Sequence, residues 1–253
     1  MSSLNEPRQF APLDALRLHW REFLIEAWAL GVFMICASVA STELRAVQGL
    51  RQNLLIGITM GCTAIALIYS PWGKRSGAHM NPSVTLAFFS LGRISAVNAA
   101  GYILFQFVGG WLGVLIASLF LGPAFSQSPV RFIVTQPGAA GAGVAFGAEI
   151  AMSFTLMLTI LLISNETRWA RYTGIAAGLL IALFVGFEAP VSGMSLNPAR
   201  TLASALPAHD WNQLWVYFTA PIAGMWLAAR AFHALTPWVE RTHHSAKIVP
   251  SSA

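Results

Sequence analysis

Charge is what this chain has least of. Of 253 residues, 15 are Lys or Arg and 10 are Asp or Glu, too few to coat a soluble globule of that size. Cysteine is scarcer still. Cys36 and Cys62 both fall inside apolar runs, away from an oxidising aqueous face, which argues against a structural disulfide. The opening 20 residues are polar, with prolines at 7 and 12. No short apolar core with a small-residue cleavage site stands before the first long run, so no cleaved signal peptide is expected. There is no His-Glu-x-x-His run and no Ser or Asp set in a catalytic motif, which argues against an enzyme. His243 and His244, in an expected short mobile tail from Thr236 to Ala253, read as solvated, and no metal or other cofactor is assigned.

Apolar residues are abundant instead, at 56% of the chain, with mean hydropathy +0.61. Long apolar runs recur at Phe23 to Ala40, Leu54 to Tyr69, Ala96 to Leu121, Ala142 to Ile163, Tyr172 to Phe187 and Leu214 to Ala229. Each is near the roughly 20 residues a helix needs to cross a bilayer, so the fold class is all-α, with six transmembrane helices. A net charge of +5 raises nucleic acid as a partner, but the placement of the charges answers it. With the N-terminus inside, Arg8, Arg17, Arg21, Lys74, Arg75, Arg93, Arg168, Arg171, Arg230, Arg241 and Lys247 fall on the cytoplasmic side. Only Arg45, Arg51 and Arg131 fall outside, with Arg200 set apart. That is the positive-inside asymmetry, and it predicts cytoplasmic termini, a lipid bilayer as the surroundings and no nucleic-acid partner.

One segment occurs twice. Ser76-Gly77-Ala78-His79-Met80-Asn81-Pro82-Ser83-Val84-Thr85-Leu86-Ala87 is matched 116 residues later by Ser192-Gly193-Met194-Ser195-Leu196-Asn197-Pro198-Ala199-Arg200-Thr201-Leu202-Ala203. The copies follow the second and fifth runs, so each half holds three spans, and an odd number inverts the second half in the membrane. The expected divisions are a cytoplasmic segment 1–20, a channel-like domain 21–232 with repeats about 21–121 and 142–232, and a cytoplasmic tail 233–253. After each Asn-Pro comes an apolar stretch, Pro82 to Leu91 and Pro198 to Ala205, of about ten residues or fewer, far too short to cross. Each reads as a re-entrant half-helix. Asn is a strong N-cap and Pro fits the first helical turn; Gly92 is expected to end the first half-helix and Pro207 the second. Non-helical backbone leading into them implies a water-lined path.

Glu22 and Glu149 stand near the starts of the first and fourth spans. Carboxylates at that depth need partners, and holding the backbone of a buried loop is favoured over proton coupling. Glu26, one turn on, has no assigned role. Glu188, near the outer mouth, either tunes solute entry or binds loop backbone. Glycine pairs Gly109/Gly113, Gly143/Gly147 and Gly174/Gly178 are expected to serve packing inside the bundle rather than dimerisation.

Twin Asn-Pro motifs behind Ser-Gly, an Arg after the second, a Glu in spans one and four and Gln106-Phe107-Val108-Gly109-Gly110 in span three resemble the signature of the aquaporin, or major intrinsic protein, family. The resemblance implies six tilted helices with two half-helices as inverted repeats, and a homotetramer with one pore per protomer. It also implies passive passage of water and small uncharged solutes. The pore motifs are then Asn81, Pro82, Ser83, Asn197, Pro198 and Ala199. Ser83 departs from the family's usual Ala; its hydroxyl is expected to bond the backbone or point into the lumen. Two half-helix N-termini meeting at mid-membrane oppose cations, and the Asn amides, free to donate to a passing oxygen, reorient water and interrupt proton hopping.

Carried over by gapless spacing from each Asn, the selectivity filter is Gly61, Val185, Met194 and Arg200. Water-selective members usually hold a bulky Phe, a His and a small residue or Cys at the first three, so Gly61 and Val185 imply a wider filter, passing glycerol, unless Phe187, Tyr69 or Met60 refills it. Thr201, Tyr217 and Phe218 resemble the water-channel subgroup, whereas Val185 and Ala189-Pro190-Val191-Ser192-Gly193 resemble the nodulin-type branch. His79 reads as a loop-anchoring histidine. An ion-coupled transporter with inverted repeats is the rival class; its coupling site would have to use Glu22, Glu26 or Glu149, away from the Asn-Pro junction. Short termini suit a bacterial inner membrane.

Overall fold

The computed structural model describes the backbone of residues 12–246 and the side chains of 18–236. The α-helices among the described residues are, in chain order, α1 (Pro12–Glu43), α2 (Gly49–Tyr69), α3 (Pro71–Ser76), α4 (Pro82–Ser90), α5 (Ala96–Leu121), α6 (Pro123–Ser126), α7 (Ala142–Asn165), α8 (Thr173–Ser192), α9 (Pro198–Ala208) and α10 (Leu214–Ala246). Five of the long helices are apolar enough to cross a membrane by length and composition, and α10 is a sixth of comparable length. α4 and α9 are the two half-helices.

Each half-helix starts where its sequence says. Asn81 is extended (φ −159°, ψ 122°) and its side chain accepts from Ser83 N–H, with Pro82 in the first turn. Asn197 caps α9 by accepting from the N–H groups of Ala199 and Arg200, ahead of Pro198. Such caps contribute about 1 kcal/mol each. The first half-helix gives way at Leu91, followed by Gly92 at φ 69°. Pro207 does not end the second. It lies inside α9, which runs on to Ala208 and is closed by His209 in the left-handed region (φ 50°). The tail expected from Thr236 to Ala253 is corrected over its described part, because α10 continues as helix to Ala246, without a glycine after Gly224 to stop it, and 247–253 lie outside the described residues. The side chains of His243 and His244 lie outside the described residues. At the other end α1 begins at Pro12, inside the polar segment 1–20.

Packing repeats the twofold relation of the sequence. α1 lies along α5 and α7 along α10; α2 lies along α8, joining the halves. Each half-helix packs against the third long helix of the other half, α4 on α10 and α9 on α5. Close approach depends on absent side chains. A Cβ on Gly113 would lie 2.4 Å from Gly31 O across the α1–α5 contact, and one on Gly61 would lie 2.5 Å from Gly178 O across α2–α8. Gly109 and Gly174 are filled against α1 and α2 in the same way. Gly143 and Gly147 are not: both face open space, so packing within this bundle does not account for that pair.

Candidate functional site

Two loops fold back to meet in the middle of the bundle, and each is held from beneath by one carboxylate. Glu149 on α7 accepts from Ser195 N–H and Leu196 N–H, both at 2.7 Å, with the Ser192 hydroxyl 2.9 Å away. The first-half counterpart is Glu26, not Glu22. Glu26 accepts from the Ser76 hydroxyl (2.8 Å), His79 N–H (3.0 Å), Met80 N–H (2.6 Å) and the Gln106 amide (2.8 Å). Ser76, His79 and Met80 stand 116 residues before Ser192, Ser195 and Leu196, so the same atoms are bound in both halves. Glu22, one turn earlier on α1, pairs with the half-exposed Arg75 at 2.8 Å. Both glutamates lie on one face of α1, and only the depth of the loop selects between them.

The symmetry extends outward. Tyr102 hydroxyl donates to Ser76 O (2.7 Å) and Tyr217 hydroxyl to Ser192 O (2.5 Å). His79 Nδ1 lies 3.1 Å from the Thr85 hydroxyl, and Ser195 Oγ meets the hydroxyl of the matching Thr201 at 2.5 Å. His79 also stacks on Phe88 (4.8 Å between centroids) and turns an edge to Tyr102, which anchors the loop. Ala78, Met80, Met194 and Leu196 all have φ between 45° and 57°, a conformation that costs a non-glycine residue about 1–3 kcal/mol and persists only where surrounding bonds over-determine it. Here the carboxylates accept from Met80 and Leu196 N–H, and the Ser76 and Ser192 hydroxyls that they hold accept from Ala78 and Met194 N–H.

At the tips, each cap crosses to the other loop. Asn81 Nδ2 donates to Leu196 O at 2.7 Å and Asn197 Nδ2 to Met80 O at 2.8 Å. One of the two amide hydrogens on each Asn is therefore spent inside the protein, and one remains to face the cavity, fewer than the sequence reading supposed. Pro82 and Pro198 are buried behind the caps, as is Ala199. Ser83 neither bonds the backbone nor lines the lumen: its hydroxyl is buried and has no partner among the described residues.

Beside the tips runs a cavity of about 390 Å³, bordered by Asn81 and Asn197, by His79 and Phe88 on one side, and by Val185, Met194 and Arg200 on the other. Gly61 does not border it. The wall of α2 is formed by Asn53, Ile56, Met60, Ala64 and Ile68, one helical face at spacings of three and four. Gly61 sits one residue, about 100°, round the helix, against α8. The gapless count from Asn81 fails because α2 stops at Tyr69, Ser70 caps a new turn by accepting from Gly73 N–H, and Pro71 starts α3. The position on the lumen is Met60, 3% exposed. Of the other residues considered as fillers, Phe187 is 60% exposed on the outer surface and Tyr69 bonds Arg171 O at 2.5 Å.

Arg200 donates to the Thr135 hydroxyl. Thr135 belongs to a loop fixed from two sides: Gly138 N–H donates to Val191 O (2.9 Å), and Arg131 and Gln136 both donate to Asp210 (2.8 and 2.5 Å). Ile133 of that loop also borders the cavity. Thr135, Ile133 and Asp210 escaped the sequence reading, since nothing in their local pattern marks them. Arg131, one of the three arginines expected on the outer side, was the one available signal.

The model of the family described as major intrinsic protein matches residues 14–232. The chain belongs to that family. Members are membrane channels, not enzymes, and this is a multi-pass membrane protein. Aquaporin NIP1-1 of Arabidopsis thaliana is 33% identical over 246 residues, covering 90% of this chain and 80% of that one. Aquaporin NIP1-4 of Oryza sativa subsp. japonica is 30% identical over 222 residues, covering 87% and 79%. Other relatives match over as little as 58% of their own length. The aquaglyceroporin of Plasmodium falciparum, known by X-ray structure, has the same fold, with a TM-score of 0.73 at 21% identity over 88% of this chain and 99% of that one.

Proposed function

We propose that this family member passes water and small uncharged solutes, glycerol among them, by passive diffusion and excludes ions and protons. The observation that carries the reading is the pair of helix N-termini, α4 and α9, capped by Asn81 and Asn197 and bordering one cavity. Each terminus carries the equivalent of roughly half a positive charge, so a cation meets a repulsive field while a neutral oxygen meets a donor. Arg200 adds a full charge beside it. Met60, Val185, Met194 and Arg200 form the constriction in this reading, with Thr135 orienting the guanidinium. Val185 offers no donor where a His would, and two flexible thioethers replace an aromatic wall, which favours passage of a solute with a carbon backbone.

Met60 supports a second reading. A side chain where the spacing argument put a glycine makes the lumen narrower, as a strictly water-selective channel requires. Stopped-flow shrinkage of proteoliposomes in glycerol decides between them: flux above empty vesicles supports the first reading, and water flux without glycerol flux supports the second. The channel is assigned to residues 21–232, with repeats 21–121 and 142–232. The assembly is assigned as a homotetramer and the termini as cytoplasmic, on the placement of Lys and Arg. The two NIP aquaporins named above come from plants, which gives no support to a bacterial inner membrane.

A further inference from the structure

The two buried carboxylates bind matching loop donors but differ in two contacts: the Gln106 amide donates to Glu26 alone, and the serine hydroxyl of the second half has a further acid beside it. In the first half Ser76 Oγ donates to Glu26 (2.8 Å) and accepts from Ala78 N–H (3.1 Å). In the second half Ser192 Oγ lies 2.9 Å from Glu149 Oε1 and accepts from Met194 N–H at 3.1 Å. It lies 2.8 Å from Glu188 Oε2 as well. The residue matching Glu188 in the first half is Trp72, so that loop has no second acid.

Counting hydrogens makes the difference chemical. A serine hydroxyl carries one hydrogen, and Met194 brings its own. Two contacts to carboxyl oxygens therefore share a single hydroxyl proton, and two ionised carboxylates leave one contact with no hydrogen in it. One further proton satisfies both. Glu149 is met by donors, two backbone N–H groups at 2.7 Å, which suits the ionised form. Glu188 is not: its Oε1 is buried without a partner, and no ion pair involving it is found among the described residues. A buried, unpartnered oxygen costs far less on a neutral acid than on a carboxylate.

We propose that Glu188 is a positioning residue that works as a neutral acid, donating its carboxyl proton to Ser192 Oγ while Ser192 donates to Glu149. The outer loop is then held by a Glu188–Ser192–Glu149 relay that depends on one proton. The loop from Ser192 carries Met194 and leads to Asn197 and Arg200, so the relay bears on the constriction. Charged and titratable groups facing it are Glu149 from α7, Arg200 from α9 and Tyr217 from α10, whose hydroxyl already donates to Ser192 O. Arg200 is the cation among them, and it is turned to Thr135. When Glu188 loses its proton, two carboxylates face one hydroxyl, and the repulsion falls on the loop that places Met194 and Arg200. Water permeability should drop.

This inference rests on the channel reading and deepens it. The test uses the full chain, purified and reconstituted, with water permeability and the infrared spectrum followed from neutral to strongly alkaline pH. Wild type is expected to lose permeability severalfold, in step with the disappearance of a protonated-carboxyl C=O band. Glu188→Gln, whose amide donates in place of the proton, should keep the neutral-pH permeability, lack the band and lose the alkaline fall. Absence of any protonated-carboxyl band in wild type, a band that survives in Glu188→Gln, or the same alkaline fall in that variant would each overturn the proposal. If Glu188→Gln does not assemble, absence of the band from the wild-type infrared titration still overturns the proposal. Because the infrared arm does not depend on flux, a channel reading that fails, with no flux above empty vesicles at any pH, is told apart from a relay that fails.

Discussion

Replacing Glu26 by Gln should cost this fold several kcal/mol, and replacing Glu22 almost nothing. Four donors converge on Glu26, two per oxygen: Ser76 hydroxyl and His79 N–H on Oε1, Met80 N–H and the Gln106 amide on Oε2. Gln turns one of those oxygens into a donor. The Ser76 hydroxyl can rotate and the Gln106 amide can flip, but His79 N–H or Met80 N–H cannot turn away, so one buried backbone donor is stranded whichever way the amide sits. That alone costs about 1–3 kcal/mol, and the bonds to the remaining oxygen lose their charge assistance, for a total of roughly 3–5 kcal/mol. Glu22 pairs with Arg75, whose side chain is 47% exposed, and such a pair is worth at most about 1 kcal/mol after solvent screening. Unfolding in detergent, followed by the fluorescence of the nine tryptophans, should show a midpoint lowered on the order of 10 °C for Glu26→Gln and by a few degrees at most for Glu22→Gln. Equal losses, or the larger loss at Glu22, would refute the assignment of Glu26 as the loop-holding acid.

Gly61→Ala should lower stability by about 1–3 kcal/mol through overpacking, because its Cβ would lie 2.5 Å from Gly178 O and 2.9 Å from Ala182 Cβ. The ratio of glycerol to water permeability should stay unchanged, and a lowered ratio would return Gly61 to the filter. Met60→Ala should raise that ratio severalfold in stopped-flow measurements. Arg200→Val should increase proton and cation leak in vesicles loaded with a pH-sensitive dye, and an unchanged leak would remove Arg200 from the barrier. Mercurials should inhibit weakly, since Met194 borders the cavity and neither Cys36 nor Cys62 does; strong block persisting in Cys62→Ser would contradict this.

Much of this architecture is legible in the chain because the signals that carry it are local. Runs of apolar residues mark the long helices, and Asn before Pro marks where α4 and α9 begin, since capping depends on neighbours within three residues. Arg200 and Met194 stand close to Asn197 along unbroken sequence, and both border the cavity. Gly61 is misplaced because its number was counted across the Ser70–Pro71 break, where helical phase is reset and spacing no longer measures position. Glu22 and Glu26 share a face of α1, and the choice between them depends on a loop 50 residues away. Thr135 and Asp210 belong to contacts between distant loops, which no periodicity reports. The bond of each Asn to the opposite loop is likewise a product of the halves meeting.

The central claim is a lumen that neutral molecules cross passively and ions do not. Its most direct test is one stopped-flow experiment on the purified protein in liposomes, measuring water flux as a function of temperature with and without proton and sodium gradients. The account predicts flux well above empty vesicles, a low activation energy and no dependence on either gradient. Flux that requires a gradient, or that dissipates one, would contradict it.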